Sequence, residues 1–381
     1  MPECRRDQAH MKTIKILHTA DLHLDSAFET LSPGKAAIRR SELRALPKKI
    51  ASLAIREKAD VVLLSGDLLD SDSMYRETGE ELVENLAKIP VPVFIAPGNH
   101  DYYTEKSPYA RLEMPEQVYL FTKDSIEYFD FPERGFRVYG AAFTEKSAPP
   151  LLQGFHAERT EGVWNLMCIH GEIGAVQSAY NPISEEEIRE SGLDLLAVGH
   201  IHKSGGLNKA GDTWYSQPGC PEGRGFDETG RKTVSILELS DEGCTLREVP
   251  VASRSYELLS VDVTDVDPLF AVSIALPDET VRNIYRIILT GETEKPLNLP
   301  RLQEKLAEYF FELQLRDKTH LKQNIWEWAG QNTLRGIFLT KLKERLDAAK
   351  SETEREQIEQ AVRWGLAALD NREEPNQHED Q

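Results

Sequence analysis

The sequence predicts an α/β layered fold, followed by a small α+β domain and a C-terminal helical hairpin, and three observations carry that prediction. Short apolar runs of strand length recur up to residue 250, and amphipathic stretches of helical period lie between them. Around 250–255 the pattern changes to alternation of period two. From 334 to 369 the chain is strongly helical in period.

The runs at 14–17, 61–64, 91–96, 166–169 and 195–198 each have the length of a buried strand and are rich in β-branched residues. Between the first two, Ile38, Leu43, Leu46, Ile50, Leu53 and Ile55 make 36–58 read mainly as helix. Residues 80–88 and 184–191 share that period, and Ser184 with Glu187 forms a capping box at the start of the second. These elements predict a central sheet covered by helices. Beyond 255, segments 256–263, 283–289 and 311–315 alternate as half-buried strands, and 300–310 is an amphipathic helix with Pro300 near its first position. Leu334, Ile337, Phe338 and Leu342, then Ile358, Val362, Leu366 and Leu369, predict two helices separated by a second capping box, Ser351 with Glu354. The expected organisation is a disordered tail 1–12, a main domain 13–250, a small α+β domain 251–330, a helical segment 331–370 and a polar tail 371–381.

A length of 381 residues fits two domains, or three, and 40% hydrophobic content is enough for a packed core. The net charge is −19, with −12 before residue 250 and −7 after it, so neither part is a basic surface for nucleic acid or membrane. No apolar run approaches the roughly 20 residues that span a bilayer, and the N-terminal segment lacks the apolar stretch of a signal peptide. Cys4, Cys168, Cys220 and Cys244 show no paired spacing. Reduced thiols in a cytoplasmic protein are expected, with neither disulfides nor a structural zinc.

Each of the five apolar runs ends in side chains that bind metals. They lead into His18-Thr19-Ala20-Asp21-Leu22-His23, Ser65-Gly66-Asp67-Leu68-Leu69-Asp70, Pro97-Gly98-Asn99-His100-Asp101, His170-Gly171 and Gly199-His200-Ile201-His202. Taken singly, a strand-end Asp fits a turn and a core-strand His fits a buried hydrogen-bonded imidazole. His200 and His202 say more, because positions i and i+2 of an extended chain face the same side. The series of five, each after a strand and most beside a glycine, points to one metal site at the carboxyl ends of the strands. Asp21, His23, Asp67, Asn99, His170, His200 and His202 are the expected ligands. Mixed nitrogen and oxygen donors suit Mn²⁺, Fe²⁺ or Zn²⁺. Seven donors suit two ions about 3.5–4 Å apart sharing a carboxylate, able to bind a phosphoryl group and acidify a bound water. His100 is the expected acid or charge stabiliser, with Asp101 orienting it.

In order and spacing, Asp21-x-His23, Gly66-Asp67, Gly98-Asn99-His100-Asp101, His170 and Gly199-His200-x-His202 resemble the calcineurin-like metallophosphoesterase superfamily. The resemblance implies a β-sandwich flanked by helices with a dinuclear metal centre at one end, Asp67 bridging the metals and His100 catalytic. A finer resemblance is to the SbcD-type DNA repair exonuclease branch. It rests on 15–24 and on 215–230, which includes Gly223-Arg224-Gly225-Phe226-Asp227-Glu228-Thr229-Gly230. It covers about 13–245, and beyond that it is architectural only: 251–330 would be a capping domain and the C-terminal hairpin a docking element. It implies DNA as substrate, manganese as activator, an SbcC-like coiled-coil ATPase as partner, and a homodimer. Asp70 stands where some relatives carry a histidine that acts near the substrate; a carboxylate there would alter leaving-group handling or substrate choice, or Asp70 or Ser71 would serve as a helix N-cap.

Arg224, Arg231 and Lys232 in a glycine-rich loop would approach phosphate closely, or form a solvated turn. Tyr102 would stack on a base or sugar, as would Tyr103, or pack the loop. His18 reads as a packed strand residue, His10 and His156 as uninvolved, and Arg39-Arg40 and Lys48-Lys49 as solvated. The function these features predict is a two-metal phosphodiesterase, a DNA exonuclease or endonuclease subunit in which a metal-bridging hydroxide attacks the diester. The rivals are a phosphodiesterase or phosphatase for small nucleotides and other esters, and a scaffold for the ATPase. The acidic charge does not exclude DNA, because two divalent ions with Asp21 and Asp67 leave the site at about +2. It does imply that a partner supplies most of the phosphate-neutralising surface.

Overall fold

A computed structural model describes residues 11–369 apart from 72, 73 and 176. The polar tail 371–381, Cys4, His10 and all but the last two residues of the N-terminal tail lie outside the described residues. The chain divides into two units, Met1–Ser253 and Arg254–Gln381.

The first unit opens with β1 (Ile14–Thr19), α1 (Pro33–Arg44) and α2 (Leu46–Glu57). The stretch expected as mainly one helix is therefore two. Pro47 sits in the first turn of α2, where its missing N–H is tolerated, but its ring would clash with the carbonyl of Leu43 in a continuous helix. Next come β2 (Val61–Leu64), α3 (Arg76–Leu86), β3 (Val93–Ile95), α4 (Pro108–Arg111), β4 (Val118–Leu120), β5 (Glu127–Phe131), β6 (Phe136–Gly140) and β7 (Trp164–His170). After the short pair β8 (Glu172–Ile173) and β9 (Pro182–Ile183), α5 (Glu185–Glu190) begins with both halves of the capping box formed by Ser184 and Glu187. β10 (Leu195–Gly199), β11 (Gly206–Ala210), β12 (Thr213–Gln217), β13 (Thr233–Ser240) and β14 (Gly243–Pro250) complete the unit.

These strands form two six-stranded sheets, as the resemblance implies, where the apolar runs alone predict a central sheet. One has the order β14-β13-β1-β2-β3-β4 and the other β11-β12-β10-β7-β6-β5. The five runs are the parallel inner strands, buried on both faces and therefore apolar throughout. Alternation divides each strand between two layers. Ile14, Ile16, Val61, Leu63 and Phe94 face Leu166, Cys168, Leu195 and Ala197 between the sheets. Leu17, Val62, Leu64, Val93 and Ile95 pack with Leu43, Leu46, Ile50 and Leu82 of the helices. Met167, Ile169, Leu196 and Val198 pack with Ile188 on the far side. The result is a mixed α/β fold, two sheets flanked by helices, with β1, β2 and β3 of one sheet and β7 and β10 of the other ending at the loops described below.

The second unit contains β15 (Tyr256–Asp262), α6 (Pro268–Ala275), β16 (Ile284–Thr290), β17 (Glu292–Thr293), α7 (Leu299–Leu306), β18 (Glu312–Asp317), β19 (His320–Leu321), α8 (Leu334–Ala348) and α9 (Glu352–Leu369). β15, β16 and β18 form a parallel sheet joined through α6 and α7. Leu339 and Leu342 of α8 pack against Ile358, Val362 and Leu366 of α9. Gly365 lets them meet closely, since a Cβ there would lie 2.0 Å from the Phe338 ring. Between them the Glu354 N–H donates to Ser351 Oγ, but the Glu354 carboxylate accepts from the Lys350 N–H, so the box is offset by one residue. Among the described residues no helix is long and apolar enough to cross a membrane.

Candidate metal centre

The loops after β1 and β2 continue the pairing of their parallel strands. The N–H of Asp21 donates to the Gly66 carbonyl, that of His23 to Asp67 and that of Leu24 to Leu68, at 2.9–3.0 Å. Holding the loops this way puts Asp21 (φ 54°), His23 (φ 43°) and Asp67 (φ 50°) in the left-handed region, and His200 joins them at φ 95°. Each such non-glycine residue costs on the order of 1 kcal/mol, and strain of this kind concentrates at functional sites. Two glycines are needed for close approach: a Cβ on Gly98 would lie 2.3 Å from Asp67 Oδ1, and one on Gly199 would lie 2.0 Å from the Ser65 carbonyl.

Three groups of donor atoms result, each lying within 4.8 Å of one another: Asp21, His23 and His202; His23, Asp67 and His100; Asp67, His170 and His200. Asp67 Oδ2 lies 3.8 Å from His23 Nε2 and 3.4 Å from His170 Nε2. Asn99 Oδ1 adds a neutral oxygen, 3.0 Å from His170 Nε2 and 3.2 Å from His200 Nδ1. All seven residues expected as ligands are brought together.

Hydrogen bonds behind the imidazoles set their tautomers. His23 Nδ1 donates to Asp70 Oδ1 at 3.0 Å, and His202 Nδ1 donates to Glu228 Oε1 at 2.8 Å. With both imidazoles neutral the two Nε2 atoms present lone pairs to each other 3.1 Å apart; burial opposes a proton on His202, but Glu228 favours one, which would bridge them. A cation accommodates that arrangement, and the donor set fits a divalent ion. His170 Nδ1 likewise donates to the Ser65 carbonyl at 2.9 Å, which turns Nε2 toward Asp67.

Burial pushes the Asp21 carboxyl up to about 6 and the His23 and His200 imidazoles down to about 4, so both imidazoles are neutral near pH 7. Burial also opposes charge on Asp67, but His170 and His23 overcome it and hold that carboxyl well below its usual range. Reciprocally, His170 is buried yet raised to about 9, because Asp67 and Asp21 outweigh desolvation. Without metal, a proton on His170 partly balances two buried carboxylates; a cation would take over that role.

Several expectations are corrected here. His200 and His202 do not share a side of an extended chain. β10 ends at Gly199, the backbone turns at His200, and the two imidazoles join different donor groups. Asp101 does not orient His100; it is buried and accepts from the backbone N–H groups of Gly98, Leu68 and Leu69 and from Tyr109. It thus braces the two loops carrying Asp67 and Asn99. His100 is exposed, its Nδ1 lying 3.2 Å from the Asp70 carbonyl and its ring 4.8 Å from that of His23. Asp70 caps no helix, since α3 begins at Arg76; it supports His23. Arg224 is not held out for phosphate, because its guanidinium is engaged by Asp70 and Glu228. Lys232 is buried, with Nζ 3.4 Å from the His202 carbonyl, and Arg231 is exposed. Tyr102 is half-buried, and the Tyr103 N–H donates to Phe143. Arg39, expected in solvent, is fully buried on Glu222, and Lys49 Nζ donates to Val251 and Ser253. His18 is buried between Ser65 and Ser216, and the exposed His156 contacts the Glu190 carbonyl.

Sequence reasoning missed Glu228, Ser65, Asn181 and Tyr180. Asn181 donates to the His170 carbonyl at 2.8 Å, and the Tyr180 ring lies 4.9 Å from that of His200. The available signal was an acid four residues after Arg224; nothing in the sequence marks a backbone carbonyl as an imidazole acceptor.

Comparison with known proteins supplies the family. Residues 14–204 match the family described as calcineurin-like phosphoesterase. The chain is 26% identical over 345 residues to the uncharacterized metallophosphoesterase YhaO of Bacillus subtilis (strain 168), covering 82% of this chain and 83% of that one. It is 22% identical to the DNA double-strand break repair protein Mre11 of Methanosarcina mazei, over 77% of this chain and 48% of that protein. It is 25% identical to a subunit of the nuclease SbcCD of Rhodobacter capsulatus, over 52% of this chain and 50% of that one. The match thus spans about half the length of these last two relatives. With that match over half its length and clusters of His and Asp able to hold divalent ions, the chain belongs to the calcineurin-like phosphoesterases, metal-dependent phosphoester hydrolases.

Proposed function

We propose that the chain is a two-metal phosphodiesterase acting on DNA, a nuclease subunit of the SbcD and Mre11 kind. The observation that carries the two-metal reading is the position of Asp67 Oδ2, between His23 Nε2 of one donor group and His170 Nε2 of another. Asp21, His23 and His202 would hold one ion, Asn99, His170 and His200 the second, and Asp67 both. When bound, such a pair supplies Lewis acidity to a phosphoryl oxygen and a water acidified to near neutrality. The exposed ring of His100 stands beside this group, where it can donate a proton or hydrogen bond to a phosphate oxygen. The His100 N–H on Asp67 Oδ1, at 2.9 Å, fixes its backbone to the same carboxylate. Nitrogen and carboxylate donors without thiolate fit Mn²⁺.

The name of the M. mazei relative, a DNA double-strand break repair protein, and that of the R. capsulatus relative, a nuclease subunit, support DNA as the substrate. With a net charge of −19 the chain should hold DNA weakly alone. An SbcC-like coiled-coil ATPase, docked on the α8–α9 hairpin, would supply the basic surface, with the chain itself dimeric. Arg231 and Tyr102 stay as candidate DNA contacts.

Linear duplex DNA and bis(p-nitrophenyl) phosphate, each with Mn²⁺, test the substrate. DNA cleavage is expected, and turnover of the small ester alone would sink the DNA reading. Metal loading should also appear as stability. At 100 times Kd each ion adds about 2.7 kcal/mol, and about 2–4 °C per kcal/mol gives a rise in Tm of about 5–10 °C per ion. Differential scanning fluorimetry with Mn²⁺ and then EDTA checks this; a Tm indifferent to both would contradict the assigned ligands.

A further inference from the structure

We propose that Arg224 is a positioning residue that assembles one of the two metal subsites and leaves the other untouched, an inference that rests on the two-metal reading above. Its guanidinium joins two carboxylates that would otherwise repel each other. One terminal nitrogen donates to Asp70 Oδ1 at 3.0 Å and the other to Glu228 Oε1 at 2.9 Å. Those same oxygens accept from the imidazoles, Asp70 Oδ1 from His23 Nδ1 and Glu228 Oε1 from His202 Nδ1. His23 and His202 both belong to the Asp21 donor group. One planar fork therefore fixes two ligands of a single subsite, across loops that follow β1, β2, β10 and β12.

The loop bearing the fork is itself tied down. The Arg224 N–H donates to Glu228 Oε2 at 2.7 Å, and Arg39 donates to the neighbouring Gly223 carbonyl at 2.8 Å. The other subsite leans on different supports. His170 Nδ1 uses the Ser65 carbonyl, and Asn99 Oδ1 lies between His170 and His200. The Arg224 side chain donates to Ser26, Asp70 and Glu228 and lies 3.2 Å from His202 Nδ1, all on the side of the Asp21 group.

Geometry and charge predict opposite effects. As a cation, Arg224 should repel a metal ion, so its loss would tighten binding. As a fork, it holds the two carboxylates that aim the imidazoles, so its loss would weaken binding. Its charge is already matched by Asp70 and Glu228, which leaves orientation as the larger effect. Lysine keeps the charge but lacks the fork, so it separates the two.

The test is calorimetric titration of the full chain with Mn²⁺, with electron paramagnetic resonance of the bound ions. Wild type should take two ions per chain and show spin coupling. Arg224→Met and Arg224→Lys should keep one ion at wild-type affinity and bind the other about 10–100-fold more weakly, giving an uncoupled spectrum at one equivalent. Two ions at wild-type affinity, tighter binding, or equal weakening of both would overturn the proposal. Fewer than two ions on the wild-type chain would overturn the two-metal reading and this inference with it. Should the Arg224 variants fail to fold, Glu228→Gln, which keeps the shape, must show the same loss at one subsite.

Discussion

Asp67→Ala should abolish Mn²⁺-dependent hydrolysis, and Asp67→Asn should come close to doing so. Asp67 is 1% exposed, and its Oδ2 lies 3.8 Å from His23 Nε2 and 3.4 Å from His170 Nε2, so on the two-metal reading its loss takes one ligand from each ion. Alanine also removes the acceptor of the His100 N–H and leaves that loop free to move. Asparagine keeps the shape and that hydrogen bond but has no negative charge to share. The loss in kcat should exceed the roughly 10²–10³-fold seen when one transition-state donor is removed, because both ions are affected. The metal-free stability should fall as well. His170 and His23 hold the Asp67 carboxyl below its usual range, and Asp67 in turn keeps the buried His170 protonated, so a neutral residue at 67 removes a pairing that outweighs its repulsion of Asp21. The metal-free Tm of Asp67→Asn should therefore lie below that of wild type, and its rise with Mn²⁺ should shrink. Activity within tenfold of wild type would remove Asp67 from the centre of the mechanism.

The residues of the candidate centre were legible because each follows an apolar strand closely, and a strand buried on both faces fixes where its last residue emerges. The five runs marked β1, β2, β3, β7 and β10 for that reason. Division into two sheets was not legible from those runs, since β5, β11 and β14 carry exposed and half-buried positions and lack a continuous apolar signature. The spacing of His200 and His202 misled because the strand stops one residue earlier and φ turns positive, which periodicity does not register. Asp70, Glu228 and Arg224 escaped for a different reason. Their partners are 22 to 198 residues distant in sequence except for the Arg224–Glu228 pair, so only the assembled loops reveal the roles. Arg39 looked solvated because a helix surface is the usual place for paired basics, and nothing local indicates that Glu222 waits for it.

Arg39→Ala should destabilise the first unit by about 3–5 kcal/mol, the usual cost of breaking a buried ion pair from one side. Both partners are enclosed, Arg39 at 0% and Glu222 at 1% exposure, and the pair is 2.8 Å long. Glu42 also pairs with Arg39, but it lies near the rim and solvent can compensate its loss. Glu222 is enclosed, and its other oxygen accepts from the Ser253 N–H at 2.6 Å, so solvent reaches its charge poorly. For a unit of this size the loss corresponds to a fall in Tm of about 6–20 °C. Arg39→Met with Glu222→Gln should recover part of it. That pair buries no unpaired charge, and the glutamine still accepts from Ser253. A double variant no more stable than Arg39→Ala would show that packing against Phe28, whose ring centre lies 5.3 Å from the guanidinium, outweighs the charge pairing. The effect should also reach the metal centre. Arg39 holds the Gly223 carbonyl, one residue from Arg224, so releasing it loosens the fork that aims His23 and His202. The double variant keeps a neutral side chain at 39 and should remain defective at that one subsite while stability partly returns, because no methionine can donate to the Gly223 carbonyl. Stability and loading of a single ion should thus separate in the same protein.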